Sequence, residues 1–247
     1  MTWIYKFSSF IWRIWIALVG FFFAFVLGLS ALVLDYFEPL KKYTYLTHEY
    51  WGRILLLLSG IRINHSAHPN KNIEKGVSYM LISNHTSEMD IPVCVKLFSG
   101  HPLMFVAKKE AEKIPVVGLL LKKFHILVDR SSSESKKAVF DWVEKRLERK
   151  GASICIYPEG GVPDDESVVL GEFKIGAFSL AKEHNLPLVV LGIKNMKEKF
   201  PFSWTRGKPG VVNTELLEVF YPEDYQNLSP EQLRDKAREL LLSYLKK

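Results

Sequence analysis

Residues 14–34, IWIALVGFFFAFVLGLSALVL, run for 21 positions without a charge. As a helix rising about 1.5 Å per residue, the run is roughly 31 Å long, enough to cross the hydrocarbon core of a bilayer. Trp3, Trp12 and Trp15 at its start and Tyr36 at its end stand where interfacial anchors belong. The run is long for a signal-peptide core and no A-x-A cleavage motif follows it, so a retained segment is expected. A second apolar piece, YWGRILLLLSGI at 50–61, carries Arg53 and is short for a span. Residues 1–60 therefore read as a membrane-anchoring helical pair, either a hairpin dipping into one leaflet or a single crossing. Lys6 and Arg13 on one side and Lys41 and Lys42 on the other leave its orientation open.

The remaining residues, 61–247, are enough for one substantial domain. The net charge of +6 fits an anionic lipid surface or an acidic carrier protein. Nucleic acid is a poor partner for this chain, because the lysines are scattered and no basic-aromatic motif appears. Cys94 and Cys155 both sit in apolar runs and read as buried free thiols, which fits a domain on the cytoplasmic face of the membrane. The seven histidines show no metal spacing, so no metal or other cofactor is expected. His65 and His68 fall in a Pro/Asn-rich connector, NHSAHPNKNIEKG, and read as solvated loop residues.

Beyond that connector, strand-like and helix-like segments alternate. Strands are expected at 77–83, 103–107, 124–129, 152–157 and 187–193, and helices at 90–99, 110–122, 132–150, 172–184 and 230–245. Such alternation indicates an α/β domain with a largely parallel sheet flanked by helices. Ligands of such sheets gather beyond the C-terminal ends of the strands.

Four segments stand at those ends. In LISNHTSEMDIPV, a buried strand breaks off at Asn84-His85, and Asp90 follows two residues before Pro92. In a regular helix or strand His85 and Asp90 would point apart, so they meet only if the chain turns between them. Asn84 and Ser87 are loop and cap residues and Pro92 suits a first helical turn; Asp90 is then either a helix N-cap or the partner of His85. In FHILVDRSSSES, Arg130 falls beside a helix N-terminus capped by Ser131 and Glu134, either a phosphate site or an Asp129–Arg130 surface pair. His125 reads there as a packed core residue. In ICIYPEGGVPDD, Glu159 and Gly160 form a turn after a strand, where Glu159 is a site anchor or a solvated acid. In FKIGAFSLAKEHNLPLVV, Lys174 could charge an anionic pocket or simply face solvent, and Gly176 and Ala177 allow close packing of another element.

Taken together, these segments resemble the lysophosphatidic acid acyltransferase family of glycerolipid acyltransferases. His85 and Asp90 match its His-four residues-Asp motif, ILVDR at 126–130 its second motif, YPEG at 157–160 its third and LPLVV at 186–190 its fourth. FVAKKE at 105–110 and IPVVG at 114–118 resemble the segment between the first two. The resemblance spans roughly 61–192 and implies a glycerolipid acyltransferase fold. The implied reaction passes a fatty acyl group from an acyl thioester, of acyl carrier protein or coenzyme A, to the sn-2 hydroxyl of 1-acyl-glycerol-3-phosphate. Phosphatidic acid is the implied product, with membrane lipids and lysophosphatidic acid as the lipid partners. His85 is then the general base and Asp90 its orienting partner, because a hydroxyl is a poor nucleophile near pH 7. Arg130, with Lys108 as a second candidate, would hold the acceptor phosphate, and Glu159 and Gly160 would help position the acceptor. The chain departs from the family at one point: the third motif commonly continues with threonine and arginine, whereas Gly161 and Val162 stand here. Lys174, and after it Arg206, are candidates for the missing cation. The departure leaves open an acyltransferase acting on another lysolipid; from other classes, the alternatives are a non-catalytic membrane-anchored lipid-binding protein and a thioester hydrolase.

Overall fold

The computed structural model describes residues 2–68, 70–129, 132–147, 151–163 and 167–247. The first 60 residues form two helices, α1 (Trp3–Tyr36) and α2 (Thr44–Ser59), joined by a 3₁₀ turn over Glu38–Tyr43. Among the described residues α1 is the one helix long and apolar enough to cross a membrane. The α1 indoles Trp12 and Trp15 donate their ring N–H groups to the carbonyls of Ser59 and Leu58, both at 3.1 Å. These carbonyls belong to the last turn of α2, which has no intrahelical donors for them. Helix α2 stops because Gly60 takes φ 71°, a left-handed conformation that costs glycine least.

The domain follows in order: β1 (Ile61–Ser66), β2 (Met80–Ser83), α3 (Asp90–Leu97), β3 (Leu103–Lys108), α4 (Val117–Phe124), β4 (Ile126–Val128), α5 (Ser133–Leu147), β5 (Ser153–Ile156). It continues with α6 (Gly176–Glu183), β6 (Leu188–Lys194), α7 (Met196–Lys199), β7 (Gly210–Phe220), α8 (Pro222–Tyr225) and α9 (Pro230–Lys246). The described strands form one sheet in the order β1-β7-β6-β2-β5-β3-β4. Neighbours pair in parallel except β6 and β7, so the fold is the α/β class expected.

The central strands are apolar throughout because both of their faces are covered. Alternate residues of β2, β5 and β6 divide between two cores. Leu81, Cys155, Val189 and Leu191 face the core shared with Ile16 and Val19 of α1 and Leu55 and Leu56 of α2. Met80, Ile82, Ile154, Leu188 and Val190 face the core closed by α5, α6 and α9. The N-terminal helices thus pack into the same core as the sheet. At the α2–α3 contact, a Cβ on Gly52 would lie 3.3 Å from the Pro92 carbonyl.

Several expectations need correction. The connector is shorter than expected, because Ile61–Ser66 pairs with β7 as an edge strand. His65 is consequently in a strand, with Nδ1 2.9 Å from Thr214 Oγ1, rather than in a solvated loop. The helix expected at 110–122 is two pieces, a 3₁₀ turn over Lys109–Lys113 and α4. They are separated by Val116 at φ 63°, and Gly118 sits so close to the Glu112 carbonyl that no Cβ would fit. Cys94 and Cys155 are buried free thiols, as expected.

Candidate active site

The parallel strands β2, β3, β5 and β6 end on one side of the sheet, and the residues just past them converge. Asn84, at the end of β2, is buried and locked to β6. Its Nδ2 donates to the Ile193 carbonyl and its Oδ1 accepts the Ile193 N–H, both at 2.9 Å. This fixes the start of the turn that follows, so Asn84 is not an ordinary loop residue.

The turn from His85 to Asp90 does bring the two side chains together: His85 Nδ1 lies 3.1 Å from Asp90 Oδ2. The same oxygen accepts the N–H of Thr86 at 2.7 Å and of Ser87 at 2.9 Å. Asp90 is the first residue of α3 rather than its N-cap, which is Met89. The carboxylate therefore reaches backward, closing the turn and meeting the histidine with one oxygen. A carboxylate oxygen can only accept, so this contact requires the hydrogen on Nδ1 of His85 and makes Nε2 the acceptor nitrogen of the neutral tautomer. Asp90 is fully buried, whereas the His85 side chain retains 18% of its exposure and can meet a ligand.

Tyr157, just past β5, stacks on the imidazole with centroids 4.0 Å apart and planes 13° apart. Its hydroxyl contacts Cys94 Sγ at 3.6 Å, and burial pushes the phenol well above its ordinary range. The stack confines the ring of His85 from one side while Asp90 holds its edge. Nothing in the residue pattern assigned Tyr157 this role, although its place at the strand's end, two residues before Glu159, was the available signal.

Glu159 bridges two segments. Its Oε1 accepts the His85 N–H at 2.8 Å and its Oε2 accepts the Gly171 N–H at 2.7 Å. Burial raises the carboxyl's pKa, and the two N–H donors oppose that shift. It is neither solvated nor unengaged; it ties the histidine turn to the loop leading into α6. Gly160 takes φ 78°, and a Cβ there would come within 2.6 Å of Lys174 Nζ, so the lysine side chain passes directly over this turn.

A cavity of about 680 Å³ opens beside these groups, and its polar lining includes His85, Lys108 and Lys174, with Gly160 beside them. Phe105, Val128, Phe140 and Ile156 are among the apolar side chains lining the rest. Gly176, expected to admit close packing, instead borders this space, with nothing within 4 Å of where its Cβ would be. Ala177 is buried against the second core, as expected. Arg206 is not among the cavity's lining; its backbone carbonyl accepts from Arg13 at 2.8 Å. His125 stands on another face, at the end of α4, with Nδ1 accepting the Phe105 N–H at 3.2 Å. Arg130 and Ser131 lie outside the described residues.

The chain is 28% identical over 160 residues to a chloroplastic 1-acyl-sn-glycerol-3-phosphate acyltransferase, BAT2, of Brassica napus, covering 64% of this chain and 43% of that protein. It is 26% identical over 178 residues to the 1-acyl-sn-glycerol-3-phosphate acyltransferase of Saccharomyces cerevisiae, covering 68% and 55%. The chain thus spans about half the length of these curated relatives. In fold it is similar to the crystal structure of the 1-acyl-sn-glycerophosphate acyltransferase PlsC of Thermotoga maritima, with a TM-score of 0.80 and 20% identity. That similarity covers 98% of this chain and 96% of the other. The Acyltransferase family model matches residues 65–194, more than half of the sequence and all of the histidine turn, and the chain belongs to the acyltransferase family.

Proposed function

We propose that this chain is a membrane-associated enzyme that transfers a fatty acyl group from a thioester to the sn-2 hydroxyl of 1-acyl-glycerol-3-phosphate, yielding phosphatidic acid. The observation that carries the reading is the contact of His85 Nδ1 with Asp90 Oδ2, 3.1 Å apart, with His85 lining a largely apolar cavity. In the reaction, Nε2 of His85 takes the proton of the acceptor hydroxyl as its oxygen attacks the thioester carbonyl. The carbon–sulfur bond then breaks, and the imidazolium returns the proton to the departing thiolate. Asp90 stabilises the imidazolium between the two steps. No side chain is acylated, so no nucleophilic serine or cysteine is needed.

Lys108 and Lys174 would meet the acceptor phosphate, with Lys174 supplying the charge that Val162 does not. Arg130 is kept as a further phosphate ligand on the family resemblance alone. Glu159 and Gly160 would act on the acceptor through the shape of their turn. The donor is a thioester of coenzyme A or of acyl carrier protein, entering without a metal or other cofactor. The helices at 1–60 and the catalytic domain at 61–247 divide the labour, the helices seating the protein in lipid and the domain performing transfer. Both ends of α1 are fastened along the domain, by Ser9 to Gly207 and by Asp35 to Lys123, which favours a helix lying in one leaflet over a perpendicular crossing.

Product analysis with a labelled acyl donor tests the reading. Labelled phosphatidic acid should form only when lysophosphatidic acid is present. Free fatty acid regardless of acceptor would identify a hydrolase instead, and transfer to other lysolipids alone would reassign the acceptor.

A further inference from the structure

Helix α1 carries three charges, Lys6, Arg13 and Asp35, and Arg13 is buried to 5% exposure. Taking a guanidinium out of water costs several kcal/mol unless its donors are met. A leucine or methionine would fill much of the same space without that cost, so the arginine must be judged by what it holds. Its Nε donates to the Arg206 carbonyl at 2.8 Å and its Nη2 donates to the Pro201 carbonyl. Its plane lies over the Phe200 ring, 4.1 Å from the centroid, and Trp12 packs edge-on against the same ring. All these contacts grip one segment, 200–206.

That segment also touches the catalytic turn. The Phe200 carbonyl accepts the hydroxyl of Ser87 at 2.7 Å, and Ser87 is fully buried. The Ser87 N–H donates in turn to Asp90 Oδ2, the oxygen that faces His85. Glu88, on the same turn, interacts electrostatically with both Arg13 and His85. A continuous chain of contacts therefore runs from the lipid-facing helix through Arg13, Phe200 and Ser87 to the Asp90 carboxylate.

We propose that Arg13 is a positioning residue: it fixes the 200–206 segment so that Ser87 and Asp90 hold His85 in its working geometry, coupling the seating of α1 to turnover. The proposal rests on the reading of His85 and Asp90 as base and partner, and its test has one arm that needs no substrate. Arg13→Met keeps most of the apolar bulk and removes the donors; Arg13→Lys keeps a charge but loses the planar fork.

On vesicle-bound protein, amide hydrogen exchange at Thr86 and Ser87 should accelerate about tenfold in Arg13→Met, with the β6 amides unchanged. In the transfer assay, kcat should fall at least about tenfold while the acceptor KM stays within about twofold, and Arg13→Lys should recover part of the loss. A Ser87→Ala change combined with Arg13→Met should cost less than the product of the two separate losses, because both break one relay. Unchanged exchange at Thr86 and Ser87 overturns the proposal. So does a loss of protection shared equally with β6, which would mark Arg13 as a residue of general stability. If the exchange arm succeeds and the wild-type protein transfers no acyl group, it is the functional reading that has failed.

Discussion

Asp90 shows how much one buried oxygen can be asked to do. Oδ2 closes the turn through two backbone N–H groups and aligns His85 through a third contact. Asp90→Asn would place an amide where a triple acceptor is needed, and the transfer rate should fall on the order of a thousandfold. His85→Ala should cost about a hundredfold to ten-thousandfold by removing the proposed base. Steady-state rates of both variants at saturating acceptor check this, provided both remain vesicle-bound. Lys174 makes a different kind of contribution, as a cation above the Gly160 turn. Lys174→Ala should raise the acceptor KM by about tenfold and leave kcat within about twofold. Gly160→Ala should weaken acceptor binding in the same direction, because its Cβ would displace Nζ and the left-handed φ would be strained. Arg13 was visible in the sequence as a flanking charge, but nothing local distinguished a membrane-proximal arginine from one that clamps a loop about 190 residues away.

At the scale of elements, α1 has two faces with different work. Gly28 and Ala31 lie against the domain, and a Cβ on Gly28 would come within 2.3 Å of Leu120 in α4. Gly28→Leu should therefore destabilise the fold by about 1–3 kcal/mol, measurable as a lower denaturation midpoint. The opposite face exposes Ile11, Leu18, Phe22, Phe25 and Leu29 at helical spacing. Glutamate at both Leu18 and Phe22 should reduce vesicle partitioning at least about tenfold while leaving the fold intact, since neither side chain is buried in the protein. The element reading from sequence was good for β2, β3, β5, β6 and α9, where apolar runs are bounded by clear turn and cap signals. It missed β1 and β7. Strand β1 is an edge strand whose later residues, Asn64, His65 and Ser66, are polar, so its pairing with β7 depends on a partner almost 150 residues away.

At the scale of the whole molecule, a pair of buried histidines ties stability to pH. His48 of α2 and His125 at the end of α4 meet edge to face at 5.2 Å, and burial holds both imidazoles below their ordinary range. The positive charge of Arg146 pushes His125 the same way, as would a proton on His48. The folded chain thus binds protons at both less readily than the unfolded chain, which takes them up below about pH 6.5. Where the unfolded state binds more protons, stability rises with pH, so acidification from pH 7 to 5 should destabilise the protein. Each histidine contributes a slope of up to about 1.4 kcal/mol per pH unit, and His125→Asn should flatten the pH dependence of the denaturation midpoint accordingly.

By itself, the sequence determined an apolar N-terminal helix, an α/β domain with its motifs at strand ends, and a histidine and an acid able to meet across a turn. Those features follow from local rules: hydrophobic periodicity, cap chemistry and the reach of five residues. Only the tertiary structure decided that Asp90 turns back instead of capping α3, that Glu159 bonds to two backbone amides, and that Tyr157 stacks on His85. It alone also joined helix α1 to the histidine turn through Arg13 and Phe200. Each of these is set by how the chain folds back on itself, through the order of strands in the sheet and the packing of helices upon it. A window of neighbouring residues carries no record of that order.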